Sequence, residues 1–215
     1  MQHKYPYLIV EGNIGAGKTS LSKKLAAEFD CRLMLEQFED NSFLPKFYND
    51  SRRFAFPLEL SFLAARFTQL KDIITNQSEI FSNPTIISDY SFFKNLVFAR
   101  VTLEDDEFQL FYKLYEIIQP QLPRPDLIVY IHRPVGQLIA NISKRGRSYE
   151  QDIRPSYLEK IEAGYFEFFK QMPKQKVVVI DAKNLDFVND ADDYERLKDV
   201  LFTTEFAEGI SRPVI

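Results

Sequence analysis

The sequence predicts an α/β fold in which helices flank a doubly wound, five-stranded parallel sheet. Five short apolar segments are spread along the 215 residues, and most lack the polar alternation of half-exposed strands. Longer stretches with helical spacing separate them, which favours parallel pairing through helical crossovers. The third observation is a glycine-rich loop directly after the first apolar segment. The length and a hydrophobic content of 45% suit a single domain spanning 1–215.

The elements follow one another in a regular order. Apolar runs bounded by turn residues predict strands at 5–12, 31–38, 84–90, 126–133 and 175–182. Helical patterns cover 18–29, 54–76, 91–103, 105–118, 135–144, 155–172 and 191–201. Ligands of such sheets bind beyond the carboxyl ends of the strands, so we expect the chemistry to follow Val10, Phe38, Ser88, Arg133 and Ala182.

Composition and charge exclude several classes of protein. The net charge is −4 and no long run of Lys and Arg occurs, so no nucleic acid partner is expected. The single cysteine, Cys31, rules out an internal disulfide framework and fits a reducing compartment. The apolar run near the N-terminus is too short for a signal peptide or a membrane span. We therefore expect a cytoplasmic protein with no membrane partner.

The strongest functional signal is the segment "GNIGAGKTS", which follows the first predicted strand and opens the first helix. It matches the phosphate-binding pattern G-x-x-x-x-G-K-[ST], in which glycines let backbone N–H groups surround phosphate oxygens. Lys18 is expected to reach the β- and γ-phosphates, and Thr19 to offer its hydroxyl to Mg²⁺. The candidate cofactor-binding residues are Gly12, Asn13, Ile14, Gly15, Ala16, Gly17, Lys18, Thr19 and Ser20.

A phosphate-binding loop occurs in several classes of protein, and most of them lack support here. The base-reading motif N-K-x-D of GTP-binding switches is absent, and no D-x-x-G follows a strand. Large mechanical ATPases usually need a longer chain and a separate sensor apparatus. Nucleoside and nucleotide kinases remain, and these require an acceptor pocket, an orienting carboxylate and a lid.

Glu36 is the candidate for the orienting carboxylate. It stands at the end of the second predicted strand, whereas Glu39 and Asp40 belong to the following loop. A carboxylate at this edge of the sheet can accept the proton of an acceptor hydroxyl and align its oxygen for in-line transfer.

These motifs together resemble the deoxynucleoside kinases, and among them the bacterial purine-type enzymes, which are relatives of thymidylate kinase. The resemblance spans about 5–182 and rests on "GNIGAGKTS", "EQF", "FYNDSRRFAFPLELSFLAARF", "SDYSFF" and "KRGRSYEQD", in this order. It implies a P-loop kinase fold, a small arginine-rich lid at about 143–154, the cofactors ATP and Mg²⁺, and a homodimer.

The resemblance also implies roles for individual residues. Glu36 matches the general base that activates the 5′-hydroxyl of the deoxyribose. Tyr48 and Glu150 match residues that bind the sugar 3′-hydroxyl. Arg145 and Arg147 match lid arginines that bind the phosphates of the donor during transfer, and we count Arg145 with Lys18 and Glu36 as catalytic.

Further positions concern the base and the metal. Glu59 stands where the family usually has a glutamine that reads the base edge, and Arg66 and Asn95 align with other base-pocket positions. Asp89 is expected to bind the substrate side of the site and to serve Mg²⁺ through water, together with Thr19.

Two positions depart from the family pattern. Tyr90 and Asn141 stand where relatives carry arginines, so two positive charges are absent. Either Arg145 and Arg147 take over their work or Lys94 contributes, and the sequence leaves both options open.

Glu59 leads to a hypothesis about the base. An ionised carboxylate only accepts hydrogen bonds, and guanine offers adjacent donors at N1–H and N2–H₂. Adenine presents an N1 acceptor beside its N6 donor, which suits glutamine better. Glu59 together with Arg66 therefore favours deoxyguanosine, unless Arg66 forms a salt bridge with Glu59 and orients it instead of reading the base.

The sequence therefore predicts an ATP- and Mg²⁺-dependent kinase for the 5′-hydroxyl of a deoxyribonucleoside, with a purine favoured. The alternatives are a nucleoside monophosphate kinase of the thymidylate type and a catalytically silent nucleotide-binding regulator. The tail at about 203–215 is expected either to be disordered or to dock on a partner.

Overall fold

The computed structural model describes residues 4–37, 41–75 and 85–215, with the side chains of 72–75 excepted. The strands are β1 Tyr7–Gly12, β2 Arg32–Met34, β3 Ile86–Ser88, β4 Leu127–His132, β5 Lys176–Asp181 and β6 Gly209–Ser211. The helices are α1 Lys18–Glu28, α2 Leu44–Asn49, α3 Ser51–Thr75, α4 Lys94–Thr102, α5 Asp105–Ile118, α6 Val135–Arg145, α7 Pro155–Lys170 and α8 Ala191–Thr203. Short 3₁₀ turns occupy Gln119–Gln121 and Ser148–Glu150.

All described strands join one parallel sheet in the order β2-β3-β1-β4-β5-β6. The predicted α/β fold with a parallel sheet and flanking helices is confirmed, but the sheet has six strands where five were expected. The additional strand β6 comes from the C-terminal tail, and its Gly209 lies opposite Lys176 of β5. A three-residue strand reading Gly-Ile-Ser has no hydrophobic periodicity, so the sequence carries no signal for it.

β1 occupies the place where the direction of winding changes. The chain first adds β2 and β3 on one side of β1 and then β4, β5 and β6 on the other. Every residue of β1 is buried, because strands and helices cover it on all sides. A crevice therefore opens beyond the carboxyl end of β1, where the glycine-rich loop begins.

β2 and β3 are shorter than their apolar runs suggest, because their backbones diverge at the carboxyl edge. The N–H of Asp89 still donates to the carbonyl of Met34, at 3.1 Å. Beyond that point the N–H of Glu36 donates to the carboxylate of Asp89 instead of a carbonyl. Strand pairing thus ends where the two segments meet at the site. Four residues named in the sequence analysis lie outside the described residues: 38 and 84, expected in these strands, and Glu39 and Asp40, expected in the loop.

The helices agree with their predicted positions, and α2 is an addition that the sequence reading did not include. The acidic start of α5 is a capping box in which Glu104 and Glu107 satisfy each other's backbone N–H groups. Within the described ranges, no helix combines the length and the apolar character needed to cross a bilayer.

Candidate active site

The glycine-rich loop folds tightly between β1 and α1. Gly15 and Gly17 have φ values of 81° and 98°, in the left-handed region that favours glycine. A Cβ added at Gly15 would lie 2.8 Å from the carbonyl oxygen of Leu138, so no side chain fits there. The glycines of the motif are thus required both by the turn of the loop and by the close approach of α6 to Gly15.

Side chains hold the loop carbonyls from outside. Asn141 donates to the carbonyl of Gly15 at 2.8 Å, and Arg133 donates to that of Ala16 at 3.2 Å. Lys18 donates to the carbonyls of Gly12 and Asn13, both at 3.0 Å. The backbone N–H groups at the start of α1 find no acceptor among the described residues. Free N–H groups at a helix N-terminus, beside a lysine, form a site that fits phosphate.

Lys18 is placed where its charge state responds to its surroundings. Burial, followed by the positive charge of Lys94, lowers the pKa of Lys18 from 10.5 to about 8. Three carboxylates, Glu11, Glu36 and Asp89, act in the opposite direction. A polyphosphate at the loop would add negative charge and favour the ammonium form further.

Thr19, Asp89 and Glu36 are linked in a short chain of hydrogen bonds. The Thr19 hydroxyl donates to Oδ2 of Asp89 at 2.5 Å, and the Glu36 N–H donates to Oδ1 of the same carboxylate at 2.7 Å. A hydroxyl and a carboxylate beside a phosphate-binding loop are hard oxygen ligands, the kind that Mg²⁺ takes in combination with phosphate and water. The donor set therefore fits the expected metal.

The Glu36 carboxylate lies between two cations. Arg66 donates both Nε and one terminal nitrogen to Oε1, and Lys94 donates to Oε2 at 2.6 Å. Burial alone would raise the pKa of Glu36, but the charges and hydrogen bonds of Lys94 and Arg66 outweigh it and hold the pKa well below its usual range. Glu36 is therefore an ionised carboxylate at neutral pH.

A cavity of about 110 Å³ opens in front of Glu36. Lys18, Thr19 and Asp89 line it on the side of the phosphate-binding loop, and Glu59 lines it together with apolar and aromatic residues. The remaining lining residues are Ile14, Leu44, Phe47, Tyr48, Leu58, Phe62, Arg66, Lys94, Phe98, Arg145, Arg147, Glu150 and Tyr157. The predicted acceptor residues thus meet in one cavity, apart from Asn95, which is fully buried and binds the Arg66 guanidinium.

Glu59 has a different environment from Glu36. It is 2% exposed, and the hydroxyl of Thr102 lies 2.9 Å from its Oε1. Burial raises the pKa of Glu59 from 4.5 to about 7, although the charge of Arg66 counteracts part of the rise. Because the guanidinium of Arg66 binds Glu36 and Asn95, the alternative of an Arg66–Glu59 salt bridge is wrong.

The lid residues contact one another at the mouth of this cavity. Arg145 donates to one carboxylate oxygen of Glu150, with Nε at 3.1 Å, and Arg147 donates to the other at 3.4 Å. The ring of Tyr48 stacks on Tyr149 with a centroid distance of 6.0 Å. Both arginines also line a second, larger cleft of about 730 Å³ beside the phosphate-binding loop. They therefore stand between the two cavities.

The larger cleft extends from the loop to the segment after β5. Its walls include Gly15, Ala16, Gly17, Ser20, Asn141, Lys183, Asn184, Asp186 and Asn189. The sequence reading did not single out Arg133, which organises this region by donating to the carbonyls of Ala182 at 2.8 Å and Leu185 at 2.9 Å. A lone arginine after a strand carries no spacing signal, so this role becomes visible only in the fold.

Two more buried polar residues were missed or placed differently. Glu11 is fully buried in β1 and accepts hydrogen bonds from Ser91 and Tyr165, which anchors the segment that carries Asp89. A charged residue inside an otherwise apolar strand was the available signal. The side chain of Asn13 donates to the carbonyl of Leu158 and so faces the protein interior.

The positions that depart from the family pattern have clear locations. Tyr90 is completely buried, and its hydroxyl has no hydrogen-bond partner among the described residues. Lys94, by contrast, lies in the cavity against Glu36. Of the two options that the sequence left open, Lys94 and the lid arginines both contribute positive charge to the cavity wall.

Comparison with known proteins supports the same interpretation. The family described as deoxynucleoside kinase matches residues 8–206. The deoxyguanosine kinase of Bacillus subtilis (strain 168) is 36% identical over 196 residues, which are 89% of this chain and 94% of that protein. The deoxyadenosine/deoxycytidine kinase of the same organism is 27% identical over 198 residues, covering 91% of each chain.

A solved structure is similar over nearly its whole length. The deoxyadenosine kinase of M. mycoides, with the products dCMP and a flexible dCDP bound, has a TM-score of 0.78 and 25% sequence identity. The match covers 92% of this chain and 100% of that chain. With the family match, the P-loop geometry and the adjoining cavity, this chain belongs to the deoxynucleoside kinase family and is an enzyme that transfers a phosphoryl group from a phosphate donor to a deoxynucleoside.

Proposed function

We propose that the protein transfers the γ-phosphoryl group of Mg-ATP to the 5′-hydroxyl of a purine deoxyribonucleoside for nucleotide salvage. The observation that carries this proposal is the position of Glu36. Its ionised carboxylate lines the same cavity as Lys18 of the phosphate-binding loop and the two lid arginines. An acceptor hydroxyl held at Glu36 would thus face the γ-phosphate of a donor in the loop.

The donor side is proposed from the geometry of the loop. Unpaired N–H groups and Lys18 would hold the triphosphate, and the base would extend into the cleft of about 730 Å³. Thr19 and Asp89 would hold Mg²⁺, which when bound supplies charge neutralisation to the donor phosphates. Asn141 and Arg133 keep the loop carbonyls away from the phosphates, because they bind those carbonyls from outside.

Glu36 acts mainly by orienting the acceptor. A carboxylate whose pKa is held low by Lys94 and Arg66 is a weak proton acceptor in the ground state. Phosphoryl transfer through a loose transition state needs little help from a base, so alignment of the hydroxyl oxygen matters more. As the acceptor oxygen bonds to phosphorus, its hydroxyl becomes more acidic, and the proton then passes to Glu36.

The proposed lid would bind both the donor and the acceptor. Arg145 and Arg147 line both cavities and would neutralise the charge of the transferring phosphoryl group. Glu150 and Tyr48 line the acceptor cavity and would bind the sugar 3′-hydroxyl. Closing over both substrates excludes water, which would otherwise attack the donor.

The purine preference rests on the apolar part of the acceptor cavity. Leu58, Phe62 and Phe98 provide apolar walls in the same cavity as Glu59, whose carboxyl group could bind a base edge. Relatives named deoxyguanosine kinase and deoxyadenosine kinase occur among the similar proteins, such as the 31% identical deoxyguanosine kinase of Lactobacillus acidophilus (strain ATCC 700396 / NCK56 / N2 / NCFM).

The proposal is tested by incubating the purified protein with Mg-ATP and each deoxynucleoside, ribonucleoside and deoxynucleoside monophosphate, and measuring products. We expect deoxyguanosine or deoxyadenosine to give the highest kcat/KM. Faster turnover of pyrimidine deoxynucleosides would refute the purine assignment, and turnover of monophosphates alone would favour a thymidylate-type kinase. Omitting Mg²⁺ should abolish product formation with every acceptor.

A homodimer is part of the proposal, and α5 is its contact surface. Leu110 and Ile117 lie seven residues apart on α5 and expose 52% and 67% of their surface. Partly buried Leu114 lies between them at helical spacing. A row of apolar side chains on one exposed helix face is typical of a surface that packs against another subunit.

A further inference from the structure

Glu59 has an unusual degree of isolation for a buried carboxyl group. It is 2% exposed, and Thr102 provides the one hydrogen bond that any described residue forms with it. That bond involves Oε1, so Oε2 has no hydrogen-bond partner among these residues, while the side chain lines the acceptor cavity. A carboxyl oxygen at the wall of a cavity is available to bind the edge of a base that enters it.

Thr102 can accommodate Glu59 in either protonation state. Its hydroxyl lies 2.9 Å from Oε1 of Glu59 and also 2.9 Å from the carbonyl of Phe98. A hydroxyl has one hydrogen to donate and can accept two bonds. When Glu59 is ionised, its Oε1 accepts from the Thr102 hydroxyl; when Glu59 is protonated on Oε2, Oε1 can still accept from Thr102, and the Oε2–H is left to donate into the cavity. Neither state requires the side chains to move.

The two protonation states present different patterns to a purine. The carboxylate offers two acceptors, which match the adjacent N1–H and N2–H₂ donors of guanine. The carboxylic acid offers one donor and one acceptor, which match N1 and N6–H₂ of adenine. A mismatch opposes two acceptors when the carboxylate meets adenine and two donors when the acid meets guanine, and in a buried site such a pair costs about 1–3 kcal/mol.

We propose that the proton on Glu59 selects the base, with the ionised form accepting deoxyguanosine and the protonated form accepting deoxyadenosine. Thr102 is the positioning residue that holds both forms in the same place. This inference rests on the proposed purine deoxynucleoside kinase activity. Deoxyadenosine binding then takes up a proton from solution when Glu59 starts ionised, and deoxyguanosine binding releases one when it starts protonated.

Five described segments supply the charged and titratable groups that face Glu59. Its pKa is raised to about 7, first by burial, and its neighbours are Arg66 on α3, Lys94 on α4 and Glu36 after β2. Burial also raises the pKa of its tyrosine neighbours, Tyr48 on α2 and Tyr157 on α7, so both remain neutral. The pKa of Arg66 is raised and that of Glu36 is lowered, and Lys94 is paired with Glu36.

The direct test is a competition assay with equal concentrations of deoxyguanosine and deoxyadenosine. The ratio of the two products equals the ratio of kcat/KM, so pH effects shared by both reactions, such as titration of Lys18, cancel. We expect the guanine-to-adenine ratio to rise more than about threefold between about pH 6 and about pH 8. A smaller rise, a constant ratio or a fall overturns the inference.

Three variants examine the assignment to Glu59 and Thr102. In Glu59→Gln the ratio should become independent of pH and shift towards deoxyadenosine. Removing the hydroxyl donor in Thr102→Val should raise the pKa of Glu59, so the rise in the ratio should move to higher pH, while Thr102→Ser should keep the wild-type profile. A pH-dependent ratio in Glu59→Gln, or identical profiles for Thr102→Val and Thr102→Ser, contradicts the mechanism.

Calorimetry supplies a readout that does not require turnover. Binding of each nucleoside is measured near pH 7 in two buffers with different ionisation enthalpies, which gives the number of protons exchanged. Net uptake with deoxyadenosine and net release with deoxyguanosine support the inference, and equal values refute it. Failure of both purines as acceptors at every pH would refute the proposed function, whereas good turnover with a constant ratio would refute this inference alone.

Discussion

Two buried glutamates in one cavity show how the partner of a carboxylate decides its charge. Glu36 is held by two cations in direct contact, and their attraction exceeds the cost of burial, so its pKa falls. Among the described residues, Glu59 forms a hydrogen bond only with the neutral hydroxyl of Thr102, so the cost of burial exceeds the attraction of the more distant Arg66 and the pKa rises to about 7. The same residue type thus suits an ionised orienting group and a group that changes charge.

The role of Glu36 predicts a specific loss of activity. In Glu36→Gln, kcat should fall by about 10²- to 10⁴-fold, because the acceptor hydroxyl loses its orienting carboxylate. The Kd for the deoxynucleoside should change much less. Steady-state kinetics and equilibrium binding separate the two quantities, and Glu167→Gln, at an exposed position on α7, is the matched control. Survival of turnover would assign the orienting role to another group.

The raised pKa of Glu59 predicts how stability depends on pH. The folded state binds the Glu59 proton more tightly than the unfolded chain, so its contribution to stability is present below about pH 4.5 and is lost as the pH rises to about 7. Glu59→Gln should remove this loss. The free energy of unfolding of the variant minus that of wild type should therefore increase by up to roughly 3 kcal/mol from about pH 5 to about pH 8. Urea titrations at both pH values measure the difference. A constant difference would show that Glu59 titrates normally.

At the scale of elements, three connections after strands converge because the winding reverses at β1. The phosphate-binding loop follows β1, Glu36 follows β2 and Asp89 follows β3, and one hydrogen bond links Glu36 directly to Asp89. Arg133 follows β4 and joins the loop to the segment after β5, with its guanidinium 5.3 Å from the ring centroid of Phe187. The donor cleft therefore depends on an arginine that touches the carbonyls of two loops.

Arg133→Met should loosen the phosphate-binding loop and the segment after β5 together, because Arg133 binds carbonyls of both. We expect the KM for ATP to rise about tenfold, which corresponds to the loss of one or two charge-assisted hydrogen bonds. The KM for the deoxynucleoside should stay close to wild type, since Arg133 does not line the acceptor cavity. Arg100→Met on α4 is the control, because the side chain of Arg100 is 60% exposed and lines neither cavity. Equal effects on both KM values would indicate general unfolding.

At the scale of the molecule, four described residues line both cavities: Lys18 and Thr19 of the phosphate-binding loop, and Arg145 and Arg147 of the proposed lid. Glu150 is 6% exposed and binds Arg145 and Arg147, so charge holds these three residues together where the two cavities meet. On the outer surface, α5 presents Leu110 and Ile117 to solvent. The carboxyl edge of the sheet and α5 are the surfaces for which we propose chemistry and subunit association, respectively.

The proposed dimer predicts a change of mass. Wild-type protein should elute as a dimer in size exclusion with light scattering, and Leu110→Lys combined with Ile117→Lys should shift it to monomer at low micromolar concentration. Charges placed in an apolar interface lose hydration without gaining a partner. Val188→Lys, at an exposed apolar position of the donor cleft, should leave the mass unchanged. A monomeric wild type, or a double variant that stays dimeric, would rule out α5 as the contact.

The sequence by itself determined the parallel α/β fold, the phosphate-binding loop and the kinase class, because each rests on a local pattern. Gly12, Gly17, Lys18 and Thr19 are contiguous in one motif, and apolar runs report burial directly. The individual roles of Glu36, Tyr48 and the lid residues stay predictions, although these residues do line one cavity.

Only the tertiary structure decided which side chains become partners, because contacts between distant segments depend on geometry that no local pattern encodes. Arg66 lies seven residues from Glu59 in the sequence, yet its guanidinium binds Glu36 from another segment. Thr102 lies inside the helical pattern at 91–103 and had no predicted role, yet its hydroxyl is the partner that Glu59 meets across α3 and α4. The strand β6 likewise forms because the open edge of β5 offers hydrogen bonds to three residues that have no strand signal of their own.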